Sequence, residues 1–140
     1  MKRYLGLDLG TKTLGVSITD RSNTIIFPYT LIRFNHEDYE TAFEKVKEIV
    51  ENEDITDIVI GLPKNMDGSL GFASERTFRF CKLLEKLNKN VVMEDERLTS
   101  IEAQKILLAN EISAKNSKNY IDMQAAVIIL EDYLRSINEN

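Results

Sequence analysis

Residues 4–20, YLGLDLGTKTLGVSITD, constrain the fold most tightly. Two strand-like runs, residues 3–9 and 13–20, are separated by only a few residues, which reads as a pair of antiparallel strands. The first run carries an acid, Asp8, inside an otherwise buried pattern. An unpaired charge in that setting is expensive, so it needs a partner or a purpose. DRSN (20–23) is turn chemistry. TIIFPYTLI (24–32) follows as a third strand, in which Pro28 favours an edge or a bulge. Three strands with short connections predict an antiparallel meander.

A helix is predicted from about Asp38 to Asn52, with Ala42, Val46, Ile49 and Val50 on one face. DIVIG (57–61) reads as a short buried strand that ends in a polar loop, LPKNMDGS. A helix from about Gly71 to Asn88 follows, with Phe80, Leu83, Leu84 and Leu87 in a stripe. VVM (91–93) reads as a further strand, with EDER as the segment after it. Thr99 and Glu102 have capping-box spacing and would start a helix ending near Asn110. After a polar loop (111–119), a last helix runs from about Tyr120 to Ile137. The order βββαβαβαα implies one α/β domain over residues 1–140. Its sheet would be mixed and five-stranded, three strands antiparallel and then two parallel, flanked by helices.

Composition removes several classes of function. One cysteine, Cys81, permits no internal disulfide and fits a reducing cytoplasm. One histidine, His36, leaves no Cys/His zinc set and no Ser-His-Asp triad. No apolar run approaches the roughly 20 residues of a membrane span, and MKRYLGLDLG is not a secretory signal. The net charge is −5, but Glu37–Asp57 holds nine acids and two lysines, a net of −7. The remainder is therefore +2 and can face a polyanion.

In a sheet with parallel strands, sites gather at the strands' carboxyl ends. Asp8 lies on the first strand, Asp95 and Glu96 follow VVM, and Asp122 opens the last helix. The small pair Ala125-Ala126 would let that helix approach the sheet and point Asp122 toward the same edge as Asp8. Clustered carboxylates repel unless a cation intervenes, and oxygen donors of this kind suit Mg²⁺ or Mn²⁺. Each acid also has a plainer explanation. Asp122 can be a first-turn helix acid, Asp95 and Glu96 can be solvated loop residues, and Asp8 can pair with Lys12 or Arg97.

Four stretches, DLGTKTLGVSITD, GLPKNMDGS, DERLTS and DMQAAVIIL, resemble in order and spacing the YqgF/RuvX family, described as Holliday junction resolvase-like or pre-16S rRNA nuclease. The resemblance spans nearly the whole chain. It implies a ribonuclease H-like fold and a metal-dependent nuclease that trims the 5′ end of 16S rRNA precursors. The family's acids carry over to Asp8, to Glu96 with Asp95 beside it, and to Asp122. These are the catalytic and metal-ligand candidates. Lys12, Lys64, Asn65 and Arg97 become candidates for holding phosphate, although Asn65, Asp67 and Gly68 could equally build a turn. Thr99 reads as a helix cap. Arg76, Arg79, Lys82, Lys86 and Lys89 form a run that could track a nucleic-acid backbone or be a solvated helix face. The loop before the last motif carries only Lys115 and Lys118, fewer cations than the family pattern.

Three other readings compete. DLGTKT also resembles the phosphate loop of actin-like and sugar-kinase-like ATPases, which require a second half-domain. The substrate could be branched DNA rather than structured RNA, which would call for a dimer rather than a monomer. The domain could also be a non-catalytic module that docks on ribosomal or transcription proteins through its acidic helix.

Overall fold

The computed structural model describes residues 2–65, 67–97 and 117–138. Strands β1 (Tyr4–Leu9), β2 (Thr13–Thr19) and β3 (Ile26–Arg33) come first. Helix α1 (Tyr39–Asn52), strand β4 (Asp57–Lys64) and helix α2 (Phe72–Leu84) follow. A 3₁₀ turn (Glu85–Leu87), strand β5 (Asn90–Arg97) and helix α3 (Ser117–Asn138) complete the described chain. The five strands form one sheet in the order β3-β2-β1-β4-β5. The β1–β2 and β2–β3 pairs are antiparallel, whereas β1–β4 and β4–β5 are parallel. The expected mixed sheet is therefore present. The helix expected before Asn110, with Thr99 as its cap, lies outside the described residues, as does Lys115.

Local chemistry accounts for several boundaries. Asp20 closes the β2–β3 turn by accepting hydrogen bonds from the Thr24 and Ile25 amides (2.7 and 3.1 Å) and from the Ser22 hydroxyl (2.8 Å). These donors favour the ionised form and hold its carboxyl well below the usual carboxylate range. Both options for Pro28 are realised. It lies on an edge strand, and the β2–β3 register shifts between Val16 and Ser17, opposite Pro28–Thr30. Asp38 caps α1, accepting from the Thr41 hydroxyl at 2.7 Å.

Two strands run further than the sequence pattern indicates. β4 continues through Pro63 and Lys64, and β5 continues through Glu94, Asp95, Glu96 and Arg97. The two pair rung by rung up to Lys64 opposite Arg97. Backbone pairing satisfies each N–H and C=O whatever the side chain, so it overrides the poor strand preference of consecutive acids. Asp95 and Glu96 are thus strand residues rather than part of a following loop, and they have opposite parity.

The sheet separates two cores. One face carries Leu5, Leu7, Leu14, Val16, Ile18, Ile58 and Ile60, packed against Ala42, Phe43 and Val46 of α1 and Phe80 and Leu84 of α2. The other face is smaller, with Tyr4 and Val59 against Ile129 and Leu130 of α3. Here the sheet shows glycine. A Cβ on Gly6 would lie 2.8 Å from the Ala126 carbonyl oxygen, and one on Gly15 would lie 2.2 Å from that of Asp122. Ala125 and Ala126 are buried, and the Ser17 hydroxyl donates to the Ala126 carbonyl at 2.8 Å. The close approach expected from the alanine pair is present, and the glycines opposite make it possible. No described helix is long and apolar enough to cross a membrane.

Candidate active site

Parallel strands β1, β4 and β5 end at one edge of the sheet, the edge that also carries the β1–β2 turn and the loops after β3 and β4. Helix α3 starts there too. Its Asp122 lies over Gly15, its Leu130 over Gly6, and its Tyr133 ring 6.2 Å from that of Tyr4, so it runs down the sheet against the direction of β1.

Register places the first two acids together. Asp8 is directly opposite Gly15 in the β1–β2 ladder. Opposed residues of an antiparallel pair project to the same face. That face of Gly15 is filled by the Asp122 backbone. Asp8 therefore projects beneath the opening of α3, beside Asp122, and both are half-buried. Asp122 is the sixth residue of α3, past the first turn. The helix-dipole explanation for this acid consequently falls away, because that effect fades beyond the first turn.

The acids on β5 divide by parity. Lys64 has the parity of Ile58 and Ile60, which face α1 and α2. Its ammonium lies 3.2 Å from the Asp95 carboxylate. Asp95 is thus engaged on the face away from Asp8, which removes it from the set of acids meeting there. Glu96 pairs with Pro63 and has the opposite parity, two residues beyond Glu94. Glu94 lies toward α3. Burial, and then the carboxylates of Asp132 and Asp95, raise its pKa. The sequence reading missed Glu94 because it took the strand to end at Met93. Among the described residues, no group of three acids, histidines or cysteines forms a metal cage.

The cation candidates also separate. Lys12 is exposed in the β1–β2 turn, where Gly10 N–H donates to Thr13 O (2.8 Å) and Phe34 N–H to Lys12 O (3.0 Å). Arg33, opposite Thr13, is a cation at this edge that only the register reveals. Arg97 ends β5 opposite Lys64. The loop after β4 is a built turn. Asn65 Nδ2 donates to Ser69 Oγ (3.0 Å), Ser69 N–H donates to Asp67 (2.9 Å), and Gly68 takes a φ of 87°. The turn explanation for Asn65, Asp67 and Gly68 therefore holds. Arg76, Arg79 and Lys82 lie on α2, but the helix ends at Leu84, so Lys86 and Lys89 do not extend one continuous face. Burial and the neighbouring Glu85 push the Cys81 thiol up to about 11, which disfavours the thiolate and any redox role.

A mixed sheet in this order, with acids at the carboxyl ends of its central strands, defines a ribonuclease H-like fold. The solved structures agree. RuvC of Thermus thermophilus, in complex with a Holliday junction substrate, superposes with a TM-score of 0.60 at 10% identity, covering 97% of this chain and 96% of that one. The fowlpox virus Holliday junction resolvase gives 0.58 at 14% identity, covering 96% and 99%. At the level of sequence the assignment becomes specific. The chain belongs to the RuvX family, described as Holliday junction resolvase, whose model matches residues 2–136. A relative from Bacillus thuringiensis (strain Al Hakam), named "Putative pre-16S rRNA nuclease", is 42% identical over 135 residues, covering 96% of this chain and 98% of its own. The chain is thus placed among nucleases that hydrolyse phosphodiester bonds, and DLGTKT falls within the matched span.

Proposed function

We propose that this chain is a divalent-metal-dependent nuclease that processes the 5′ end of pre-16S rRNA. In this reading Asp8, Asp122 and Glu96 are the metal-holding carboxylates. One observation carries it: the Asp122 backbone sits on Gly15, the residue opposite Asp8, so the backbone of one acid lies over the rung that carries the other. The donor set fits Mg²⁺ or Mn²⁺, because two half-buried acids from β1 and α3 offer the hard oxygens these ions take. Glu96, with its parity, is the third donor, and Asp95 is not.

Bound there, such an ion would supply activation of a water and charge stabilisation for the departing 3′ oxygen of a phosphodiester. The chain's own residues do the rest. Asp8 and Asp122 would hold the ion on the face under α3. Lys12, in the β1–β2 turn, would hold a phosphate at that edge, while Lys64 and Arg97, paired across the ends of β4 and β5 with the parity of Asp95, would meet phosphates further from the reacting one. The family's description as a resolvase favours a second substrate, a four-way DNA junction.

The test is cleavage of an end-labelled RNA spanning the immature 16S 5′ end, with Mn²⁺ or with chelator, alongside a junction DNA. Losing an outer-shell partner of a metal site costs about 10- to 100-fold. Asp8→Asn removes a ligand itself and should lower cleavage by more than that. Cleavage that survives chelation, or survives Asp8→Asn, refutes the site. Cleavage of the junction alone moves the substrate to DNA.

A further inference from the structure

Phe72 is 85% exposed, the most of any large apolar side chain among the described residues, and Leu70 two residues earlier is 55% exposed. Isolated apolar residues on a surface are ordinary. The position of this pair is not. Both stand at the carboxyl edge of β4, the edge that carries Asp8 and Asp122. The segment presenting them is held in shape. The Asn65 amide lies 3.7 Å from where a Gly71 Cβ would be, the Asn65–Ser69 turn closes beneath, and the buried Ser74 hydroxyl ties the first turn of α2 to the Pro63 carbonyl. The ring of Phe72 is therefore presented from a fixed base.

Charge indicates what the ring meets. Residues 64–82 contain four cations, Lys64, Arg76, Arg79 and Lys82, against Asp67 and Glu75, a net of +2 in an acidic protein. Arg76 and Arg79 follow Phe72 at spacings of four and seven, which is one helical stripe. Arg79 lies 5.4 Å over the Tyr39 ring and 3.9 Å from Glu37, which holds its guanidinium in place. An exposed aromatic face heading a stripe of arginines combines the two elements that hold single-stranded nucleic acid: a stacking surface and a charge that follows the backbone.

We propose that Phe72 is a stacking platform for an unpaired nucleobase, so that this nuclease acts on phosphodiesters beside a single-stranded nucleotide. The proposal rests on the nuclease reading above and adds to it a requirement on substrate form. Every base presents a π face, so the platform selects for an unpaired base and not for sequence.

The chain has no tryptophan, so Phe72→Trp supplies a single reporter. In chelator, where binding is separated from cleavage, a short single-stranded RNA should quench the indole fluorescence of the Phe72→Trp variant, and a blunt duplex of the same sequence should not. Phe72→Ala should weaken single-strand binding by about 5- to 100-fold, leave duplex binding within about 2-fold, and keep the wild-type melting temperature. Phe72→Tyr should bind as wild type. Unchanged binding by Phe72→Ala, or an unquenched indole as expected if the ring docks on a protein, overturns the platform while leaving the nuclease reading intact. Quenching without any metal-dependent cleavage by wild type has the reverse meaning: the platform stands and the nuclease reading fails.

Discussion

Gly15 shows how much one missing side chain can decide. Its backbone is not in the left-handed region, so alanine is conformationally acceptable there. The cost is steric, because the new Cβ would lie 2.2 Å from the Asp122 carbonyl oxygen, and backbone cannot rotate aside. Overpacking of this kind costs about 1–3 kcal/mol. Gly15→Ala should lower the denaturation midpoint accordingly and should reduce cleavage by more than that loss of folded protein accounts for. Wild-type activity in the folded variant would mean that the pairing of Asp8 with Asp122 is not what the reaction uses. Glu94 makes a second residue-scale case. Its raised pKa means the folded state binds the proton more tightly than the unfolded chain. Its contribution to stability is therefore fully present below the unfolded value of about 4.3 and is lost as pH rises through the folded value. Glu94→Gln should melt higher than wild type at pH 7, and the gap should close toward pH 4.

At the scale of elements, strand β5 sets its two adjacent acids at opposite parity. Alternation along a strand is strict, so extending the pairing by four residues places Asp95 with Lys64 and gives Glu96 the other parity. Asp95→Asn should cleave within about 3-fold of wild type, since an exposed ion pair is worth about 1 kcal/mol or less. Glu96→Gln should lose activity as Asp8→Asn does. Equal losses in both variants, measured on the same RNA, would show that parity along β5 does not govern the site. Helix α3 is the other decisive element. Beginning at Ser117, it carries Asp122 past its own first turn and onto the sheet, where Gly6, Gly15 and Ala126 let it lie close.

Across the whole molecule, part of the acidic block is neutralised at the amino end of the central strands. At the amino end of β1, Arg3 is buried. It donates to Thr19 O (3.1 Å) and pairs with Glu53 (2.9 Å), while Lys2 pairs with Asp57 and Arg21 with Asp54. Three acids of the acidic block are thus matched within the fold, far from the site. The carboxyl edge carries Lys12, Arg33 and Lys64, and in the proposed reading these meet the nucleic acid. Binding should therefore be salt-dependent although the protein is acidic. Three to five phosphate contacts predict a slope of about −2 to −3.5 in log K against log salt for single strands. A slope near zero would place the nucleic acid elsewhere or remove it.

The sequence by itself determined the order of the described elements and the mixed sheet, because hydrophobic period and turn chemistry are local properties. It also singled out Asp8, since a charge inside an apolar strand is conspicuous without any structure, and it brought Asp122 and the Ala125-Ala126 pair into the same argument. What it left open depended on partners distant in the chain. Strand β5 continues through four charged residues only because β4 lies beside it, and from that follow the separation of Asp95 from Glu96 and the appearance of Glu94. The loop after β4 could be read either as a phosphate cradle or as a turn until Asn65, Asp67 and Ser69 were seen bonded to one another. Gly15 has no side chain to signal a role. Its importance lies in what occupies the space above it, and only the tertiary structure brings a residue 107 positions later, Asp122, to that place.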